Sequence, residues 1–134
     1  MARRTPNPPP VLHELEAEIM EHVWSHPGET TVRDVMEALN ERANPVRAYT
    51  TYMTVMRRLN EKGFLDRTRR GQKDAYRASL TRDEYQERRA GAEVRQLVDE
   101  FGDVALAHFA RSLSGLDPAR RRALQRLADG GEPD

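Results

Sequence analysis

The sequence has no cysteine, few aromatic residues and no long apolar run. The absence of cysteine excludes disulfides, iron–sulfur clusters and thiolate metal sites. Aromatic residues make up only 6% of the chain and apolar residues 37%, so the core is small, and part of the apolar surface is expected to be buried against a partner subunit. Because no stretch approaches the roughly 18 apolar residues of a membrane span and no apolar signal core is present, we expect a cytoplasmic protein.

Positive charge is concentrated in residues 47–77, although the formal net charge of the chain is zero. Residues 1–46 contain four basic and eight acidic residues, whereas residues 47–77 contain nine basic and three acidic residues. Phosphate binding requires a local basic surface rather than a basic protein. This net charge of +6 in residues 47–77 therefore indicates a surface that contacts nucleic acid.

Apolar spacing and turn residues predict a mainly α-helical chain. We expect a β-hairpin between the third and fourth helical segments, with a four-residue loop at Gly71–Asp74. The predicted helices cover Leu12–Ser25, a segment from Thr31 to near residue 43, Tyr49–Glu61, a long region from a capping box at Thr81–Glu84 to about Leu113, and a last helix after Asp117-Pro118. The predicted organisation is a flexible arm (1–10), a winged-helix DNA-binding domain (11–80), a helical dimerisation region (81–128) and a flexible tail (129–134).

The first three helices each carry an apolar stripe that predicts a shared core. The glutamates of the first helix, including Glu16 and Glu18, are predicted to be solvated. The stripes are Leu12, Leu15, Ile19, Val23 and Trp24; Val32, Val35, Met36 and Leu39; and Tyr52, Val55, Met56 and Leu59.

Three short helices followed by a hairpin, with positive charge on the third helix and the hairpin, are typical of a winged helix-turn-helix. The third helix would enter the major groove, and the hairpin would contact backbone phosphates. At 100° per residue, the face opposite the core contains Thr50, Thr54, Arg57 and Glu61. The predicted DNA-binding residues are Arg47, Tyr49, Thr50, Thr51, Thr54, Arg57, Arg58, Arg67, Arg69, Arg70 and Lys73.

Each of these features alone has a simpler explanation, such as a solvated basic helix face or threonines that cap a helix. Their order within 80 residues favours DNA binding. The alternative is a winged-helix protein-interaction module without DNA readout. That alternative predicts apolar anchors on the face of Thr50, Thr54, Arg57 and Arg58, where the sequence has none. A repressor that binds a small ligand directly is a third option.

The segment Leu12–Arg77 resembles the penicillinase-repressor family of winged-helix transcriptional regulators. The resemblance is carried by the first helix (Leu12–Trp24), TVRDVMEAL (Thr31–Leu39), AYTTYMTVMRRLNEKGFL (Ala48–Leu65) and KDAYRA (Lys73–Ala78). It implies a homodimeric repressor that binds an inverted-repeat operator and dimerises through its C-terminal helices. It also implies a membrane sensor protease, encoded nearby, as a further partner.

The resemblance implies that repression is relieved by cleavage or by metal binding to C-terminal cysteines. This chain has no cysteine, so the copper-sensing branch does not apply. The cleaved Asn-Phe bond of the family has its nearest counterpart in His108-Phe109, which departs from the family pattern. The apolar stripe of the C-terminal region is predicted to form the dimer seam, the alternative being packing onto its own domain. The predicted dimerisation residues are Tyr85, Val94, Leu97, Val98, Phe101, Ala105, Phe109 and Leu113.

Catalytic and metal-binding patterns are absent. The sequence contains no glycine-rich phosphate loop and no GxSxG nucleophile motif, so we expect neither an enzyme nor a cofactor. His22 and His26 have the spacing of helical metal ligands, with Glu18 one turn before them. No third histidine lies nearby, and we interpret both as surface residues. The Arg3-Arg4 pair is expected to be disordered rather than inserted in a minor groove.

Overall fold

A computed structural model of the protein describes residues 5–130, and the predicted Arg3-Arg4 feature lies outside them. The described chain is mainly helical with one antiparallel hairpin, which confirms the predicted fold class. The described residues form two compact units that divide between Ala92 and Glu93, inside the fourth helix. The elements are α1 (Glu14–Ser25), α2 (Val32–Asn40), α3 (Tyr49–Glu61), β1 (Leu65–Arg70), β2 (Lys73–Ala78), α4 (Arg82–Phe101), α5 (Asp103–Ser114) and α6 (Pro118–Ala128).

The core of the first unit lies between α1, α2, α3 and the hairpin. The predicted stripes supply most of it, with Ile19, Val35 and Tyr52 fully buried, whereas Leu12, Leu15, Trp24 and Val55 pack at its edge. Each fully buried side chain of this size contributes about 1.5–3 kcal/mol to stability. The predictions omitted part of the buried set: Met20, Phe64, Leu65 and Leu80.

Glu16 is buried, so its predicted solvation is wrong. Its Oε2 atom lies 2.7 Å from Nζ of Lys62, at the end of α3, and its Oε1 atom accepts a hydrogen bond from the His13 N–H at 3.0 Å. Burial opposes ionisation of this carboxyl, but the Lys62 and His13 hydrogen bonds outweigh it and hold the pKa of Glu16 below its ordinary value. The ion pair therefore joins the first turn of α1 to the end of α3.

The connection between α2 and α3 is held by the side chain of Asn40, the last residue of α2. Its amide donates to the Arg47 carbonyl at 2.9 Å, and its Oδ1 accepts from the Arg47 N–H and from the Tyr52 hydroxyl. At the other end of α2, Thr31 is the N-cap and its hydroxyl accepts from the Asp34 N–H, as predicted. The Asn40 contacts therefore fix the end of α2 relative to α3, whereas the Thr31 cap stabilises the first turn of α2 itself.

The second strand of the hairpin begins at Lys73, inside the predicted loop, and Lys73 pairs with Arg70, the last residue of β1. The loop contains two residues, Gly71 and Gln72, so the predicted four-residue loop is wrong. Gly71 has φ +63°, the left-handed conformation that tight hairpin turns require. On its outer side β2 pairs with Thr30, which exchanges two backbone hydrogen bonds with Tyr76, at 2.9 and 2.7 Å.

The start of α4 packs against the winged-helix core. The predicted capping box is confirmed, since Thr81 and Glu84 exchange side-chain-to-backbone hydrogen bonds. The Tyr85 ring lies 5.6 Å from that of Trp24 and 5.7 Å from that of Phe64. The indole N–H of Trp24 donates to the carbonyl of Leu80 at 2.9 Å, so Trp24 holds the connection between the hairpin and α4 against α1.

The N-terminal segment from Thr5 is not regular structure but makes specific contacts. Pro9 is fully buried, and its carbonyl accepts a hydrogen bond from the Arg89 guanidinium at 3.1 Å. The Thr5 hydroxyl donates to the carbonyl of Gly63.

The second unit contains the end of α4, then α5 and α6. The predicted long helix is interrupted at Gly102, which has φ +57° and precedes α5. Asp117 caps α6 by accepting from the Arg120 N–H, with Pro118 at the first helical position, as predicted. Many large apolar side chains of this unit are exposed: Val94, Leu97, Phe101, Val104, Leu106, Phe109, Leu113 and Leu127.

Candidate nucleic-acid interface

The outward face of α3 has the composition that its sequence predicted. Tyr52, Met56 and Leu59 point into the core, so the opposite side of the helix faces solvent. Thr54 and Thr50, both exposed, lie about one and two turns before Arg57 on this side. Hydroxyl and guanidinium groups can hydrogen-bond both base edges and phosphates.

The two faces of the hairpin differ because side chains alternate along a strand. The register places Arg67 opposite Tyr76 and Arg69 opposite Asp74 on one face. This face borders a groove of about 230 Å³ whose other wall includes Tyr49, Met53 and Arg57 of α3. The hairpin and the candidate recognition helix therefore present a continuous surface, and we call the hairpin the wing.

Tyr76 connects the wing to the core. Burial and the nearby Asp74 carboxylate raise the pKa of its hydroxyl, while a hydrogen bond with Arg67 opposes the shift. The hydroxyl is therefore neutral near pH 7. Arg67 is exposed beyond this contact.

The predicted cations are not equally available. Arg69 lies 3.3 Å from the Asp74 carboxylate, and Arg70 forms two hydrogen bonds with Glu29. By contrast, within residues 5–130 no carboxylate forms an ion pair with Arg57, Arg58, Arg67 or Lys73, and all four side chains are exposed. The charge that can meet a phosphate without breaking an ion pair is therefore smaller than the sequence count suggests.

Arg47 differs most from its predicted role. Its Nη2 atom lies 3.3 Å from Glu18 Oε2 of α1, and its side chain is about 29% exposed. A hydrogen bond with Tyr52, opposed by burial and reinforced by Glu18, raises the pKa of its guanidinium. Glu18 is thus paired rather than simply solvated. Arg47 braces the segment before α3 against α1, so its predicted contact with DNA would require the guanidinium to leave Glu18.

The predicted dimerisation residues separate into two groups. Val94, Leu97, Phe101, Phe109 and Leu113 are exposed and Val98 is partly so. Tyr85 instead packs in the winged-helix core, and Ala105 is buried within its own chain, so neither is available to a partner. Val104 and Leu106 are also exposed, but the prediction did not include them. It extended the apolar stripe of α4 through Gly102 as if the helix were continuous, whereas the helix breaks there.

His108 and Phe109, the candidate cleavage bond, lie inside α5. The His108 carbonyl accepts a hydrogen bond from the Ser112 hydroxyl, so a protease would need to unwind this turn. In α1 the rings of His22 and His26 stack at 4.4 Å. Residues 5–130 contain no cluster of three metal-ligating side chains, and none of their helices is long and apolar enough to cross a membrane.

Comparison with known proteins agrees with this arrangement. The family model for the penicillinase repressor matches residues 12–130. The chain belongs to the penicillinase repressor family. It is 38% identical over 125 residues to the transcriptional regulator BlaI of Mycobacterium tuberculosis, from strains CDC 1551 / Oshkosh and ATCC 25618 / H37Rv, covering 89% of this chain and 86% of the relative.

A solved structure of the same fold is also similar. It is the solution structure of the DNA-binding domain of the repressor BlaI, with a TM-score of 0.50 and 22% identity, covering 60% of this chain and 93% of that chain. The resemblance inferred from Leu12–Arg77 is thereby confirmed, as is the winged-helix fold. Membership places this penicillinase-repressor protein among transcriptional regulators rather than enzymes, as the sequence predicted.

Proposed function

We propose that this protein is a cytoplasmic transcriptional repressor that binds an inverted-repeat DNA operator as a homodimer. The observation that supports DNA binding most directly is the surface formed by the outward face of α3 and the adjoining face of the wing. On it, Arg57 lines one groove with Arg69 and Lys73 of the wing and shares the exposed side of α3 with Thr50 and Thr54. This arrangement suits a helix in the major groove beside a hairpin on the backbone.

Within this proposal the residues divide by position. Thr50, Thr54 and Arg57, at the centre of the outward face, would contact base edges, with Tyr49, Thr51 and Arg58 at its border. Arg67, Arg69 and Lys73 would contact phosphates. Arg69 must exchange Asp74 for a phosphate, which the high negative charge density of DNA favours.

The alternative, a protein-interaction module, needs apolar anchors at the centre of this surface. The exposed apolar side chains near it are Val46 and Tyr49, at the N-terminal edge of α3. The centre consists of hydroxyl and guanidinium groups. The composition therefore favours DNA.

The second unit supports the homodimer part of the proposal. Soluble monomers rarely expose contiguous large apolar patches, and here Phe101, Val104 and Leu113 are each about half exposed. A two-fold symmetric operator requires a two-fold symmetric protein, and an apolar face repeated on each copy provides one.

The decisive experiment selects bound duplexes from a random pool and measures the binding of the recovered sequence by fluorescence anisotropy. We expect an inverted repeat, bound with a Kd on the order of 10⁻⁸ M near physiological salt, and at least about 10³-fold weaker binding of unrelated duplex. Sedimentation of the free protein should give a dimer. Recovery of no shared sequence, with equal binding of all duplexes, would contradict the proposed function.

A further inference from the structure

Arg70 differs from Arg67 and Arg69 in the direction of its side chain. Strand alternation places it on the other face of the hairpin, and, unlike Lys73 with which it pairs, it does not line the groove beside α3. On that side it meets Glu29, in the connection between α1 and α2. The Arg70 Nε atom lies 3.1 Å from Oε1 of Glu29, and Nη2 lies 2.6 Å from Oε2.

This bidentate pair is next to the backbone bridge of the wing. Glu29 immediately precedes Thr30, whose N–H and carbonyl both bond to Tyr76 of β2. The bridge fixes the middle of β2, while the Arg70 pair reaches the end of β1, at the turn. The two contacts therefore hold the hairpin at two separated points against the same connection.

The chemistry of the pair suits orientation better than stabilisation. Ion pairs at the surface contribute little to folding, and this pair is solvent-accessible, with the side chains of Arg70 and Glu29 about 62% and 30% exposed. An arginine and a carboxylate joined by two parallel hydrogen bonds nevertheless restrict the relative orientation of the two side chains as well as their separation. The hydrogen bonds with Glu29 raise the pKa of Arg70, and those with Arg70 lower the pKa of Glu29, so both groups are charged near neutral pH.

We propose that Arg70 is a positioning residue, which with Glu29 fixes the angle of the wing and thereby the fit of Arg67 and Lys73 to DNA, rather than a phosphate contact. The proposal rests on the proposed function. It replaces the role that the sequence suggested for Arg70, and it gives Glu29, an acidic residue, a positive effect on DNA binding.

A charge-swap series with the full chain tests this inference. The variants are R70Q, E29Q, the double variant E29Q/R70Q and the swap E29R/R70E, with K73Q as the control for loss of a phosphate contact. For each, operator affinity is measured over a range of salt concentrations, which yields the slope of log K against log salt.

A positioning role predicts that R70Q and E29Q each weaken operator binding by about three- to tenfold, without changing the salt slope, and that the double variant is no weaker than either. The swap should recover most of the affinity. K73Q should reduce the magnitude of the slope by about one. If R70Q reduces the slope as K73Q does and E29Q tightens binding, Arg70 is a phosphate contact that Glu29 restrains, and the inference is wrong. Unchanged affinity in R70Q and E29Q would also overturn it.

A measurement without DNA separates this inference from the proposed function. Amide hydrogen exchange at Thr30 and Tyr76 should become faster in E29Q and R70Q, while the thermal midpoint changes little and the swap restores slow exchange. Unaltered exchange in both variants would show that the backbone bridge alone holds the wing. If the wild-type protein binds no duplex, the proposed function fails, but the exchange result still decides whether the pair holds the hairpin.

Discussion

Nζ of Lys62 and Oε2 of Glu16 are 2.7 Å apart, although Glu16 lies in the first turn of α1 and Lys62 follows the last residue of α3. The carboxylate is almost inaccessible to solvent, and it also caps α1 through the His13 N–H. A buried carboxylate with two charge-stabilising partners is a stability determinant whose effect depends on pH.

Removal of this charge should destabilise the protein. We expect Glu16→Gln to lower the free energy of unfolding by about 1–3 kcal/mol at pH 7, because Lys62 loses its partner in a partly buried site. Urea denaturation followed by circular dichroism measures the difference. Glu14→Gln, an exposed change in the same helical turn, is the control and should lie within about 0.5 kcal/mol of wild type.

The same pair predicts the direction of acid sensitivity. The pKa of Glu16 in the folded protein lies below the ordinary glutamate value of 4.5. The ionised pair therefore stabilises the fold fully above that value, and its contribution is lost as the pH falls through the lower, folded-state pKa. In denaturation series from pH 7 downward, the difference in free energy of unfolding between wild type and Glu16→Gln should decrease in this acidic range. A difference that does not change with pH would show that the charge of Glu16 does not cause the destabilisation.

Base and phosphate contacts should be distinguishable by mutation. Arg57→Ala should cost about 1–3 kcal/mol on the operator and relax sequence preference, because Arg57 lies on the outward face of α3. Lys73→Ala should weaken operator and unrelated duplex by similar factors and flatten the salt dependence. Parallel anisotropy titrations of both duplexes check this. Equal loss of specificity in the two variants would contradict the division.

The exposed apolar face of the second unit predicts a monomer-forming variant. Phe101→Asp should dissociate the dimer, since an unpaired carboxylate in an apolar seam costs several kcal/mol. The winged-helix unit has its own core and should remain folded, so circular dichroism should still show a cooperative transition. Operator affinity should fall by about 10²–10⁴ as the linked second half-site is lost.

Analytical ultracentrifugation measures the oligomeric state. Asp99→Ala, a change at an exposed position on the same helix, should leave it unchanged. A Phe101→Asp protein that remains dimeric would locate the seam on another surface.

The turn of the wing should tolerate only certain residues. No other group approaches the position where a Cβ atom on Gly71 would lie, so a substitution there is limited by φ +63° rather than by space. Gly71→Val should destabilise the hairpin by about 1–2 kcal/mol and weaken operator binding, whereas Gly71→Asn should stay close to wild type. Similar losses in both variants would indicate a steric cause.

Local rules predicted the parts of the fold that depend on one segment. The bounds of α3 were predicted correctly because an apolar period of 3.6 ends at Lys62-Gly63. The turn was misplaced because Lys73 and Asp74 are polar and look like loop residues, although each pairs with β1. The break at Gly102 was underestimated because helical pattern alone does not show where a glycine adopts positive φ.

The candidate site was predictable in composition but not in electrostatics. Periodicity alone places Thr54 and Arg57 on one face of α3. The pairs Arg47–Glu18 and Arg70–Glu29 join residues 29 and 41 positions apart, and no spacing rule connects them. Tertiary folding therefore decides which arginines of a basic segment are available to DNA, and the sequence count of positive charge overestimates them.

The single tryptophan of the chain occupies a position that makes it an optical reporter. Trp24 donates to the Leu80 carbonyl, contacts the Tyr85 ring and has the Arg82 guanidinium above it. Its emission, excited where tyrosine does not absorb, therefore senses the junction between the hairpin and α4. Separation of α4 from the winged-helix core would shift that emission even if every helix stayed intact, a change that far-ultraviolet circular dichroism does not detect.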